Sequence, residues 1–239
     1  MKFTKVILIF LSLFSLGSCQ AQEKQAKQKT YIFKSDDPNG IGKWYMGREI
    51  AHVMGYRGMA WLERNEREKE ENTSRLIQNM NIQPHDVIAD IGAGSGYHVF
   101  KMAPLAGSGL IYAVDIQQEM LDAIAQRQKQ QKIENIKRIK GEEQSANLPA
   151  NSVDKVLMVD VYHEFSYPKE MLQSIQEALK PEGKIYLIEY RMEDPKVPIK
   201  RLHKMTEKQA VKEFTANGFQ LIENIDNLPW QHCMVFEKK

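Results

Sequence analysis

Short apolar runs alternate with amphipathic stretches along the chain from Pro84 onward. The runs have the length and composition of buried strands, and the stretches between them place apolar residues at helical spacing. This alternation is typical of a parallel sheet covered by helices on both faces, so we predict a doubly wound α/β fold. The predicted strands are residues 87–90, 110–115, 135–139, 154–159 and 184–189.

The end of the chain departs from this alternation. Thr206 and Gln209 have the spacing of a capping box, which predicts a helix running through Phe214. Two strand-like runs follow, at residues 220–225 and 232–236, with a turn at 227–229 between them.

The region before Pro84 has a different pattern. Residues 31–47 mix aromatic residues with turn formers, which predicts an ordered loop. Residues 48–54 and 66–80 predict accessory helices, the second with an apolar face at helical spacing. We therefore divide this part of the chain into an accessory region at 31–82 and a main domain at 83–239.

The first residues of the chain are typical of an export signal. Lys2 and Lys5 precede an apolar run at 6–16, which is about half of the roughly 20 residues needed to cross a bilayer. Residues 16–19 resemble the lipobox of bacterial lipoproteins. That resemblance implies a signal peptide at 1–19, a lipid anchor on Cys19 and a membrane-anchored location in the cell envelope, facing the periplasm.

A plain cleaved signal peptide with an incidental cysteine is the alternative to a lipid anchor, and the location is cytoplasmic if the signal interpretation is wrong. Residues 20–30 contain no large apolar side chain, which predicts a solvated tether. Once Cys19 is used as an anchor, Cys233 is the remaining cysteine, so no disulfide is expected within the mature chain.

The charge distribution excludes one class of partner. Lys and Arg total 33 and Asp and Glu total 31, and the two signs are interspersed along the chain. Nucleic-acid binding requires a basic patch, so we expect no nucleic-acid partner.

The strongest chemical signal is a glycine loop after the first predicted strand. The strand ends at Asp90, and glycines at 92, 94 and 96 precede a helix. Glycine allows positive φ and close backbone approach to a ligand, and the helix offers unpaired N–H groups. Asp115 ends the next strand about 20 residues later, where a carboxylate can accept both hydroxyls of a ribose.

Two features favour a sulfonium cofactor over a nicotinamide dinucleotide. The third glycine of a dinucleotide-binding loop would fall at Tyr97, which is not glycine. Asp90 would repel a pyrophosphate but attracts a sulfonium or an ammonium group. The alternative is a tight strand-to-helix turn that binds no ligand.

These motifs resemble those of class I methyltransferases that use S-adenosylmethionine (SAM). The resemblance rests on residues 90–96, Asp115, 141–143, Asp160 and 179–183, and covers roughly 84–236. It implies a Rossmann-like, mostly parallel seven-stranded sheet with an antiparallel last strand, and SAM as cofactor. The implied cofactor-binding residues are Asp90, Gly92, Gly94 and Gly96 for the methionine end, Asp115 for the ribose, Glu142 or Glu143 beside adenine, and in addition Ala93, Ile116 and Asp160. Glu142 departs from the aspartate that family members often carry there.

On the acceptor side, His163 and Glu164 follow the fourth predicted strand, where this family positions substrate or base. His163 can accept a proton from an acceptor hydroxyl, and Glu164 can orient it or hold a cationic acceptor. His203 is a third catalytic candidate, and His232 and Trp230 are weaker candidates at the pocket mouth. The alternative is that the loop at 160–165 only shapes the pocket wall.

We expect no metal site, because His163, Glu164 and His203 are scattered in sequence and no paired Cys or His motif exists. Trp44, Tyr45, Met46, Arg48 and Trp61 suggest an aromatic lid over SAM, since aromatic faces attract a sulfonium. Core packing is the alternative for this set.

The expected activity is methyl transfer from SAM to a small-molecule acceptor, since the chain has no separate basic or recognition module. An envelope location conflicts with a cofactor that is made in the cytosol and does not cross a bilayer unaided. A nonenzymatic envelope protein that binds an adenosine-like ligand is therefore an alternative, and an oxidoreductase is a weaker one.

Overall fold

The structure is a computed structural model that describes residues 29–239. The predicted signal peptide, Cys19 and nearly all of the predicted tether lie outside the described residues. Across residues 29–239, no helix combines the length and the apolar character needed to span a bilayer. The ten strands are β1 Tyr31–Phe33, β2 Gly40–Tyr45, β3 Arg48–Ala51, β4 Val87–Ile91, β5 Leu110–Asp115, β6 Ile136–Lys140, β7 Val153–Val159, β8 Leu179–Tyr190, β9 Phe219–Asn224 and β10 Gln231–Lys238. The helices are α1 Met59–Leu62, α2 Arg67–Glu71, α3 Thr73–Asn79, α4 Val99–Met102, α5 Gln118–Gln131, α6 Pro168–Ala178 and α7 Glu207–Ala216, with short 3-10 helices at Tyr56–Gly58, Tyr162–Glu164 and Arg201–His203.

Seven of these strands form one sheet in the order β6-β5-β4-β7-β8-β10-β9. The pairs from β6 to β8 are parallel, and β10 runs antiparallel to both β8 and β9. The chain order reverses between β4 and β7, which is where ligands bind in open α/β sheets. The predicted doubly wound, mostly parallel sheet with an antiparallel last strand is confirmed.

Two apolar clusters cover the faces of the sheet. One includes Leu172 and Phe214 from α6 and α7, and the other includes Phe100 and Ile124 from α4 and α5. Helices thus shield both faces, and the edge formed by the carboxyl ends of the parallel strands is left for the site.

The structure corrects the prediction for residues 31–54. The predicted loop at 31–47 contains β1 and β2, and the predicted helix at 48–54 begins with β3. These strands form a separate antiparallel sheet in which Tyr45 pairs with Arg48. Met46 and Gly47 join them with positive φ values of 47° and 102°. A two-residue turn with both φ values positive matches the twist of a hairpin, so Met46-Gly47 is the signal that the periodicity did not detect.

The predicted helix at 66–80 is two helices, α2 and α3. Asn72 between them has a left-handed φ of 52°, and its side chain accepts the backbone N–H of Arg75 at 3.2 Å. The predicted buried face is confirmed, because Leu76, Ile77 and Met80 all lie in the core.

The C-terminal half differs from the predictions in two details. β8 begins at Leu179, five residues before the predicted strand at 184–189, and its pairing with β7 shifts register between Val153 and Lys155. Thr206 caps α7 by accepting the N–H of Gln209 at 3.1 Å. The Gln209 side chain contacts Glu213 instead of returning to Thr206, so only half of the capping box forms.

A buried ion pair attaches the N-terminal sheet to the main domain. The Arg48 guanidinium donates to both carboxylate oxygens of Glu213, at 2.7 and 3.1 Å, and Tyr162 donates its hydroxyl to the same carboxylate at 2.8 Å. Arg48 also donates to the backbone carbonyl of His163 at 3.1 Å. The pair therefore joins β3, α7 and the 3-10 helix at Tyr162–Glu164.

We expect Arg48→Met to destabilise the protein by about 3 kcal/mol, because Glu213 would remain as a fully buried charge without its partner. The double variant Arg48→Met/Glu213→Gln should recover most of this loss. Urea unfolding of the three proteins measures both effects. Arg201→Ala is the control, since its pair with Asp37 is exposed and should contribute less than about 1 kcal/mol. Equal losses for the single and double variants would contradict this account.

Candidate active site

One large cavity lies at the carboxyl ends of β4, β5, β7 and β8. Its volume is about 530 Å³, within the roughly 300–1,000 Å³ typical of small-molecule sites. The N-terminal segment (residues 29–82) forms part of its wall. The predicted site residues that line it are Gly92, Gly94, Asp115, Ile116, Glu142, Glu143, Asp160, His163, Glu164 and His203. The structure therefore brings both halves of the predicted site to one cavity.

The glycine loop has backbone geometry that residues other than glycine rarely adopt. Gly92, Gly94 and Gly96 have φ values of 75°, 55° and 83°. A Cβ atom on Gly92 would lie 2.4 Å from a methyl group of Val161, and one on Gly94 would lie 2.7 Å from a methyl group of Leu62. The loop thus combines left-handed backbone with close packing, which requires glycine at these positions.

Asp115 holds the loop in place. Its Oδ2 accepts the N–H of Gly94 at 2.9 Å, and its Oδ1 accepts the N–H of Gln117 at 2.8 Å. Burial raises its pKa above the ordinary value, although these two N–H groups oppose the shift. Each carboxylate oxygen can accept a further hydrogen bond, and Asp115 lines the cavity, so it can also accept ligand hydroxyls.

Three of the predicted cofactor residues do not line the cavity. Asp90, Ala93 and Gly96 are buried behind its wall. Asp90 is 2% exposed, and its Oδ2 has no hydrogen-bond partner. Burial raises its pKa to about 7, with a smaller contribution from Asp115, and Arg67 opposes the shift. Asp90 therefore does not contact a ligand in the cavity, and a nearby positive charge would favour its ionised form.

Asp160 ends the fourth parallel strand in a strained conformation, with a φ of 50°. Its Oδ2 accepts a hydrogen bond from the side-chain amide of Gln231 at 2.6 Å, and its Oδ1 has no hydrogen-bond partner. Burial raises its pKa well above the ordinary value, and the charges of Glu71 and Glu189 add to that effect. The positive φ turns the chain sharply into the segment that carries the catalytic candidates.

His163, Glu164 and His203 meet in the wall of the same cavity. His163 Nε2 lies 3.0 Å from His203 Nδ1, and Glu164 Oε1 lies 3.8 Å and 3.5 Å from these two nitrogens. We call these three residues the His-Glu cluster. The expectation that they are too scattered to form a group is wrong, because Arg201–His203 folds back beside Tyr162–Glu164.

Glu189 orients the central histidine. Its Oε2 lies 2.6 Å from His163 Nδ1, and its Oε1 accepts the His163 backbone N–H at 3.2 Å. Burial alone lowers the pKa of His163, but the charge and hydrogen bond of Glu189 and the charge of Glu164 outweigh it, so the pKa is raised. The Glu189 carboxylate accepts the N–H on Nδ1 and so directs Nε2 of His163 toward His203 and Glu164.

Sequence reasoning missed Glu189, Arg67 and Tyr190. Glu189 follows the same signal as Asp90 and Asp115, an acid at the carboxyl end of an apolar strand. Arg67 has no local signal: it pairs with buried Glu71 at 2.7 Å and lines the cavity. Tyr190 lines the cavity and donates to Glu71 at 2.7 Å.

Other candidates lie elsewhere. Of the residues suggested as an aromatic lid, Trp61 lines the cavity, whereas Trp44 and Arg48 line a separate, smaller one. Tyr45 is buried, and its hydroxyl oxygen accepts a hydrogen bond from the side-chain amide of Asn217. His232 is bound to Glu193 and Asn224 and, like Trp230, is not part of the cavity wall.

The donor set fits SAM on physical grounds. Asp90 supplies an unpartnered buried carboxylate oxygen near the loop, which favours a positively charged ligand. Gly92 and Gly94 leave space that a Cβ atom would fill, and Asp115 offers acceptors for ribose hydroxyls. A sheet of this order with a glycine loop at its switch point defines the class I SAM-dependent methyltransferase fold.

Comparison with known proteins establishes the family. Residues 82–235 match the family model described as a methyltransferase domain, so the chain belongs to that family. Its cofactor is accordingly SAM.

Two relatives and one solved structure illustrate the similarity. The uncharacterized methyltransferase YcgJ of Bacillus subtilis is 23% identical over 164 residues, which are 67% of this chain and 64% of YcgJ. The matched region thus spans slightly less than two thirds of YcgJ. The uncharacterized methyltransferase YdaC of the same organism is 29% identical over 147 residues, 62% of this chain and 78% of YdaC. A SAM-dependent methyltransferase from Aquifex aeolicus shares the fold, with a TM-score of 0.74 at 19% identity over 78% of this chain and all of that one.

Asp90→Asn should stabilise the free protein near pH 8 and weaken SAM binding. Between its ordinary pKa of 3.8 and about 7, Asp90 is ionised in the unfolded chain but protonated in the folded one, so its contribution to stability falls as the pH rises through this window. One pKa unit corresponds to about 1.4 kcal/mol, so the variant should gain a few kcal/mol at pH 8 and little near pH 4. Urea unfolding of both proteins at the two pH values measures the gain. An equal gain in the free energy of unfolding at both pH values would contradict the raised pKa of Asp90.

Proposed function

We propose that this protein transfers the methyl group of SAM to a small-molecule acceptor bound between the glycine loop and the His-Glu cluster. The observation that supports this most is the continuity of the cavity. Gly92 and Asp115 line the same cavity as His163, Glu164 and His203. Donor and acceptor would therefore share one cavity.

The chain's own residues position the acceptor and manage its proton. When bound, SAM supplies a methyl group on a positively charged sulfur, which keeps the bonding electron pair when the acceptor atom takes the methyl group. The acceptor needs to be aligned, partly shielded from water and deprotonated. His163 Nε2 lies 3.0 Å from His203 Nδ1, both histidines line the cavity, and Glu189 orients His163, so this histidine pair can take the acceptor's proton.

The wall of the cavity favours a small acceptor over a macromolecule. Met54, Trp61 and Leu62 of the N-terminal segment close one side, and residues 198–200 close another. The balance of 33 basic and 31 acidic residues offers no electrostatic attraction for nucleic acid.

Calorimetric titration with SAM tests the cofactor half of the proposal. We expect one saturable site in the full-length protein and at least about tenfold weaker binding by Asp115→Asn, since hydrogen bonds to a charged group contribute roughly 1.5–3 kcal/mol. Gly107→Ala is the matched control, because a Cβ atom there makes only ordinary contact, 3.6 Å from the Pro104 carbonyl. Unchanged affinity in Asp115→Asn would contradict the assigned site.

A nonenzymatic protein that binds an adenosine-like ligand is the competing function. Its support is the conflict between an export signal and a cytosolic cofactor. It predicts ligand binding without turnover across hydroxyl, thiol and amine acceptors. Turnover that is lost in His163→Ala while SAM affinity is kept would favour the enzyme.

We further propose that residues 1–19 are a lipoprotein signal and that Cys19 anchors the protein to the membrane in the cell envelope. The support is the short apolar run after Lys2 and Lys5 and the Leu-Gly-Ser-Cys sequence at 16–19. This location requires SAM to reach the envelope, or the domain to remain on the cytosolic side. Digestion of membrane fractions should yield a lipid-modified peptide that begins at Cys19, and Cys19→Ser should abolish it. An unmodified N-terminus in the soluble fraction would contradict the anchor.

A further inference from the structure

We propose that the His-Glu cluster, His163, Glu164 and His203, binds a divalent first-row transition cation such as Zn²⁺, which in turn binds the acceptor's oxygen. This inference replaces the expectation of no metal site. Its cation-binding part stands on the cluster's own geometry, and its role in acceptor binding rests on the proposed function.

The geometry of the three potential ligand atoms is the first support. His163 Nε2, His203 Nδ1 and Glu164 Oε1 form a triangle with sides of 3.0, 3.5 and 3.8 Å. Ligands about 2.1 Å from one cation lie about 3.0 Å apart at adjacent octahedral positions and about 3.4 Å apart in a tetrahedron. The triangle is thus close to the size that a single cation requires, and small side-chain adjustments would close it.

The surroundings of the cluster are the second support. The Glu189 carboxylate holds His163 through Nδ1, which leaves Nε2 as an unprotonated ligand in the manner of carboxylate–histidine–metal sites. Glu164 Oε1 accepts the backbone N–H of Met54 at 3.1 Å, so its carboxylate is also oriented. Arg48 fixes the same 3-10 helix through the His163 carbonyl. The cluster is therefore held in place by groups that would not themselves bind the cation.

The position of the cluster indicates what the cation would do. All three residues line the cavity, and they supply three protein ligands. Catalytic zinc sites have three protein ligands and keep the remaining position for water or substrate. An acceptor hydroxyl in that position would lose its proton more readily, because a bound divalent cation lowers the pKa of the oxygen it holds.

The choice of cation follows from the donor atoms. Two imidazole nitrogens and one carboxylate oxygen suit Zn²⁺, Fe²⁺ or Co²⁺, whereas Mg²⁺ and Ca²⁺ prefer oxygen ligands throughout. With a cation bound, the Nε2 lone pair of His163 is occupied. The acceptor's proton would then pass to solvent rather than to His163. Whether methyl transfer requires a divalent cation therefore distinguishes His163 as a metal ligand from His163 as a base.

The test uses full-length protein without a histidine tag, stripped with a chelator and titrated with Zn²⁺ by calorimetry and with Co²⁺ by visible absorption. We expect one equivalent of each to bind, with a Zn²⁺ Kd of micromolar or tighter, and a Co²⁺ spectrum typical of low coordination number. His203→Ala should weaken binding at least about tenfold, and Glu189→Gln should weaken it by roughly 10- to 100-fold through His163. His203 is the preferred variant because its side chain is 24% exposed and its removal disturbs the core least.

His85→Ala is the control, since His85 is exposed and is not part of the cavity wall. Uptake of less than one equivalent by the stripped protein, or equal Zn²⁺ affinity in His203→Ala and His85→Ala, would overturn the inference. SAM titration of the same samples separates this proposal from the proposed function. SAM binding without Zn²⁺ binding removes only the cation site, and Zn²⁺ binding without SAM binding removes only the proposed function.

Discussion

Carboxylates buried at the carboxyl edge of the sheet are the constraint on which the rest of this structure depends. Asp90, Asp115, Asp160 and Glu189 all lie at or near the ends of parallel strands and are at most partly exposed to solvent. Removing a carboxylate from water is costly unless it is hydrogen-bonded or paired. Asp115 and Glu189 meet this requirement with backbone N–H groups and a histidine, whereas Asp90 and Asp160 each keep an unpartnered oxygen. The edge is therefore rich in carboxyl groups whose hydrogen bonding is incomplete, and a cationic cofactor would favour their ionised form.

The N-terminal segment supplies much of the compensation for this charge. Arg48 pairs with Glu213, Arg67 pairs with Glu71 and opposes the high pKa of Asp90, and the Met54 N–H binds Glu164. The Gln117 side chain donates a hydrogen bond to the Met54 carbonyl and accepts one from the backbone N–H of Tyr56. Because these contacts reach both halves of the cavity, the N-terminal segment is part of the site and not an appendage to it.

The two halves of the cavity use different chemistry. The cofactor half is built mainly from backbone, with glycines at positive φ and N–H groups held by Asp115. The other part, where we propose that the acceptor binds, is built from the side chains of the His-Glu cluster, and Glu189 and Arg48 hydrogen-bond to His163 there. This division explains why the cofactor can be inferred from a short motif, while the proposed acceptor site depends on side chains drawn from four separate segments of the chain.

The sequence by itself determined the parallel sheet, the buried face of α3 and the loop from Asp90 to Gly96. Each of these rests on local rules: strand periodicity, helical spacing and the freedom of glycine to adopt positive φ. Only the tertiary structure decided that residues 31–51 form a hairpin sheet, that Arg48 meets Glu213 across 165 positions, and that His203 joins His163 across 40. These contacts leave no local pattern, because the partners are chosen by how distant elements pack around the edge of the sheet and by the need of buried charges for a partner.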